Sequence, residues 1–113
     1  MRSSIADHVF EVRNGRLLVV QRSRFRSKVI ADVDVSEIVE VELGQTRKAG
    51  TKRHHRVIGR STYRSFTGRC GLRLVFDDDT AQYLDLPGTP DEITEAIAPV
   101  IAEVRRRGGA VLL

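Results

Sequence analysis

The sequence predicts a mainly β fold: a strongly bent antiparallel sheet, or partly open barrel, of about seven short strands, capped by one C-terminal amphipathic α-helix. Three observations carry this. Apolar and polar residues alternate with period two over much of residues 8–86, turn-forming residues interrupt that alternation, and beyond Thr89 the period becomes helical. At 113 residues the chain is expected to form a single domain, 1–113, with one modest core.

The first strands are "HVFEVRNGRLLVV", joined at Asn14-Gly15, a pair that tolerates the two positive φ angles of a type I′ turn. "QRSRFRSKVIADVDV" follows, with Phe25, Val29, Ala31, Val33 and Val35 apolar at odd positions and largely charged residues between them. It reads as two strands with a bend near Arg24 to Ser27, Phe25 turning toward apolar neighbours. In "SEIVEVELGQT", Val39, Val41 and Leu43 are set against Ile38, Glu40 and Glu42, a further half-buried strand.

Residues 44–56, "GQTRKAGTKRHHR", lack an apolar period and read as an exposed loop; "RVIGRSTYRSF" reads as a weaker strand interrupted by Gly59. "CGLRLVFDDDTAQYLDL" is a hairpin: Leu72, Leu74 and Phe76 point inward, Asp77 to Thr80 turn, and Tyr83, Leu84 and Leu86 return. Ile93, Ile97, Val100, Ile101 and Val104 then form the apolar stripe of a helix over about 90–107. Thr89, Pro90 and Glu92 provide a capping box with proline at the first position, Gly108-Gly109 ends the helix, and Pro99 predicts a kink or fraying. The tail Ala110, Val111, Leu112, Leu113 is wholly apolar, and is expected to fold back or to enter a partner's surface.

This order of elements resembles the pleckstrin-homology-like (PH-like) fold, most closely the small bacterial PH-like and GRAM-like domains. The similarity runs from Val9 to about Arg107 and is carried by "FEVRNGRLLVV", by "VDVSEIVEVEL" with Val35, Ile38 and Val41, and by "LRLVFDDDTAQYLDL" before the closing helix. The resemblance implies a binding module. Lipid-binding members hold phosphoinositide headgroups with basic residues of the first two strands and their loop. By position, these are Arg13 and Arg16 about the first turn, with Arg22, Arg24, Arg26 and Lys28 further on. The two-residue opening turn is too short to wrap a headgroup, so loose attraction to an anionic surface is the form such binding would take.

The formal net charge of +4 and isoelectric point near 9.8 favour acidic partners. A second basic stretch, Arg47 to Arg56 with Lys48, Lys52, Arg53, His54 and His55, could touch nucleic-acid backbone, with Tyr63 and Phe66 downstream; this contact ranks third. No catalytic, metal or cofactor site is expected. His54-His55 and His8 lack zinc-ligand spacing, Asp77-Asp78-Asp79 lacks a calcium-loop pattern, no nucleophile elbow is present, and Cys70 reads as a small buried hydrophobe. The chain has no secretory-signal pattern and no apolar run long enough to span a bilayer, so a cytoplasmic location is expected, with a peripheral place on the membrane's inner face as the alternative. The leading functional expectation is a non-enzymatic module for protein binding or self-association, using a sheet edge, the helix flank and the tail from Ala110 to Leu113. Peripheral binding to anionic membrane through the basic residues comes second.

Overall fold

The computed structural model of the protein describes residues 2–44, 54–55 and 69–113. Among these, nine strands and two helices follow one another: β1 (Arg2–Ile5), β2 (His8–Arg13), β3 (Arg16–Arg22), β4 (Ser27–Asp34), β5 (Ile38–Gly44), β6 (His54–His55), β7 (Arg69–Phe76), β8 (Thr80–Pro87), α1 (Pro90–Ala96), α2 (Ala98–Arg106) and β9 (Ala110–Leu112). The fold is mainly β, but the strands do not make one bent sheet or a barrel. They divide into a four-stranded sheet, β1-β2-β3-β4, and a five-stranded sheet, β6-β8-β7-β5-β9. The break falls between β4 and β5, where Val35–Glu37 forms a 3-10 turn capped by Asp34. The edge of β5 that a continuous sheet would offer to β4 is taken by β9, which pairs with it in parallel.

The expected Asn14-Gly15 hairpin is present, with φ of 51° and 73° at the two turn residues and Arg13 opposite Arg16. Strand β1 has no counterpart in the sequence reading, because "RSSI" is too short and polar to show a period.

Two bulges correct the inward and outward assignments. Val19 pairs with Ala31 but Val20 pairs with Val29, leaving Ile30 as the extra residue of β4. Ile30 and Ala31 are therefore both buried while Val29 is 53% exposed, and the bulge carbonyl of Ile30 accepts a hydrogen bond from Gln82 Nε2 at 2.9 Å. In β5 the register jumps between Ile38 and Glu40, so Ile38 is buried and Val39 turns to solvent.

The single helix of the sequence reading is two short ones, divided at Ile97. Pro99 lies in the first turn of α2, where its missing N–H costs nothing; the chain is interrupted just before it rather than kinked within one helix. The capping box of Thr89 and Glu92 forms as the spacing predicts. Past α2, Gly109 packs so closely that a Cβ there would lie 2.6 Å from Val104 Cγ1 and 2.7 Å from the Val39 carbonyl oxygen. This close approach lets β9 turn back onto β5.

One apolar cluster joins all layers: Phe10, Leu17, Val19 and Val33 from the first sheet, Val41, Leu72, Leu74, Phe76 and Leu86 from the second, and Ile93, Ile97, Val100 and Val104 from the helices. Burying such side chains is worth roughly 1.5–3 kcal/mol each. The weaker strand around Gly59 and most of the basic loop, with Arg47, Lys48, Lys52, Arg53, Arg56, Tyr63 and Phe66, lie outside the described residues.

Candidate functional site

Arg22, Arg24, Arg26 and Lys28 do not form one face of a strand. Arg22 ends β3, Lys28 is the second residue of β4, and Arg24 to Arg26 make the turn between them. By register Arg22 faces Ser27 and Lys28 faces Gln21, so these two cations stand on opposite faces of the two-stranded ribbon. The result is a hairpin tip surrounded by positive charge. Every residue from Gln21 to Val29 is exposed.

At the apex is Phe25. It does not turn toward apolar neighbours: it is 86% exposed, the most exposed large hydrophobic side chain among the described residues. The local cause is the turn. Ser23 donates to the Arg26 carbonyl through both its backbone N–H, at 2.7 Å, and its hydroxyl, at 3.0 Å, which closes the loop and throws Arg24 and Phe25 outward. The only ring contact recorded for Phe25 among the described residues is the Arg24 guanidinium, whose Cζ lies 5.3 Å from the ring centroid.

The base of the hairpin is fixed as well. The Arg22 N–H donates to the Asp7 carbonyl at 2.6 Å. The Asp7 carboxylate itself is directed at His8 Nδ1, 2.7 Å away, and that hydrogen bond holds the Asp7 carboxyl below its ordinary range. Among the described residues, none of Arg22, Arg24, Arg26 and Lys28 takes part in an ion pair.

Arg13 and Arg16 belong elsewhere. They sit at the opposite end of β3, about 20 Å from the tip at roughly 3.3 Å per strand residue. Arg16 is engaged by Asp32 at 3.0 Å, and Arg13 lies 4.0 Å from Glu11. The six basic residues grouped by the sequence reading thus separate into four at one tip and two at the far turn.

The tail residues Ala110, Val111 and Leu112 form β9, opposite Glu40, Val41 and Glu42 of β5. Val111 packs against the core and Leu113 is 62% exposed. Arg107 secures the turn by donating to the carbonyls of Val35, Ser36 and Ile38 at 2.6, 2.7 and 3.0 Å.

Other chemistry-bearing residues serve the fold. Cys70 is buried as the sequence predicts, and burial pushes its thiol pKa up. Glu42, read as a polar partner of an apolar face, is itself buried and accepts from Arg73 Nη1 at 2.9 Å. A shallow cleft between β1 and α1 is lined by Ser3, Ser4, Ile5, Glu92, Glu95 and Ala96, with no basic side chain among them. Among the described residues no three His, Cys, Asp or Glu side chains are grouped to hold a metal ion, and no helix is long and apolar enough to cross a membrane. No family model, curated protein or solved structure matches the chain.

Proposed function

We propose that this chain is a non-enzymatic, PH-like binding module that docks peripherally on an anionic membrane surface, through the β3–β4 hairpin. The observation that supports it is the tip itself: four exposed cations within seven residues, none answered by a carboxylate among the described residues. Exposed charge of one sign on a hairpin turn attracts an anionic surface and adds about 1 kcal/mol per cation that reaches the headgroups. Four such contacts total about 4 kcal/mol, enough for reversible docking and not for permanent residence. Every residue of the tip is exposed, which suits recognition by surface charge rather than by headgroup stereochemistry. This function ranks ahead of self-association through Ala110 to Leu113, because the tail backbone already pairs with β5 and half-buried Val111 packs against the core.

Sedimentation of the full chain with vesicles tests it. Vesicles of equal parts phosphatidylcholine and phosphatidylglycerol should carry the protein down, pure phosphatidylcholine should not, and binding should fall steeply as salt rises from ~0.1 M to ~1 M. Binding indifferent to phosphatidylglycerol or to salt is incompatible with the proposal.

A further inference from the structure

The charges alone do not explain the apex. A phosphate-binding hairpin needs only cations, yet a phenylalanine, 86% exposed, stands between Arg24 and Arg26. Single exposed apolar residues are commonplace and by themselves mean nothing. Here four further observations accompany the ring. It sits in a turn whose every residue from Gln21 to Val29 is exposed; cations flank it on both strands; the turn backbone is closed by the two Ser23 bonds, so less backbone entropy remains to be lost on binding; and a second exposed apolar residue, Val29 at 53%, lies on the same hairpin, paired with half-buried Val20.

We infer that the hairpin docks by seating the Phe25 ring in the interfacial layer of the bilayer while Arg22, Arg24, Arg26 and Lys28 contact the surrounding phosphates, so that the module reads lipid packing as well as surface charge. This rests on the docking function proposed above. In water the Arg24 guanidinium lies over the ring; at the membrane it can leave for a phosphate as the ring leaves water, an exchange that preserves a favourable contact for both groups. The aliphatic second contact favours lipid over nucleic acid. Single strands are held by several stacked aromatics, whereas Val29 cannot stack on a base but can lie against acyl chains.

The chain contains no tryptophan, so the variant Phe25→Trp carries a single indole reporter at the apex. On vesicles of equal parts phosphatidylcholine and phosphatidylglycerol its emission should shift to the blue, resist an aqueous quencher and be quenched by brominated acyl chains. A companion variant, Phe25→Ser, should lower the vesicle partition coefficient by about ten- to a hundredfold with its urea midpoint unchanged. If the protein sediments with these vesicles while the indole keeps a water-like emission, or while Phe25→Ser partitions like wild type, docking is by charge only and insertion is overturned. If neither wild type nor Phe25→Trp sediments at low salt, the docking function falls and insertion falls with it.

Discussion

Arg73 and the arginines of the β3–β4 hairpin occupy opposite extremes of this molecule. Arg73 is 3% exposed in the middle of β7, with Nη1 2.9 Å from Glu42, 3.8 Å from Glu40, and its guanidinium 6.0 Å from the Tyr83 ring. Register brings these groups together, since Arg73 stands opposite Glu42 on one side and Tyr83 on the other. Arg24 and Arg26 are exposed at a turn, and no carboxylate answers them among the described residues. A buried cation is tolerable only when its desolvation is offset by fixed partners, whereas an exposed one costs the fold almost nothing and stays available. The same side chain is therefore structural in one sheet and available for a partner in the other.

The largest test of that contrast is Arg73→Ala. It should destabilise the protein by about 3–5 kcal/mol, because the Glu42 carboxylate is left buried without its guanidinium. The double change Arg73→Met, Glu42→Leu should recover part of the loss in urea unfolding, since it removes the desolvation cost of those two charges while the Glu40 carboxylate, 3.8 Å from Arg73, stays in place. Arg107→Ala is intermediate, at about 1–2 kcal/mol. Its three carbonyl partners border partly exposed chain, and amide exchange at Ala110 to Leu112 should quicken more than exchange in β7. Unchanged exchange in β9 would mean that Arg107 does not secure the tail.

How much of this was legible in the sequence follows from the range of the interactions involved. Asn14-Gly15, the Thr89–Glu92 capping box and the 69–87 hairpin were readable because their determinants lie within a few residues of one another. The bulges at Ile30 and Val39 were not, since each reflects how a strand meets its neighbour, and one inserted residue inverts every later inward assignment. Phe25 was misread for this reason: alternation carried past Arg22 places it inward, but the strand ends at Arg22 and Ser23 closes a turn. The bracketing of a single aromatic by Ser-Arg and Arg-Ser was the available signal. The division into two sheets depended on β9 claiming the edge of β5, a contact between residues about seventy apart in the chain that no local pattern encodes.

The smallest expected effect on stability comes from the hairpin, and it bears most directly on the docking claim. Arg24→Glu combined with Arg26→Glu should shift folding free energy by no more than about 0.5 kcal/mol, while abolishing sedimentation with vesicles of equal parts phosphatidylcholine and phosphatidylglycerol at low salt. Both quantities are to be measured on the same preparation, by urea unfolding and by partition. A double variant that folds like wild type and still partitions like wild type would contradict the assignment of docking to this tip.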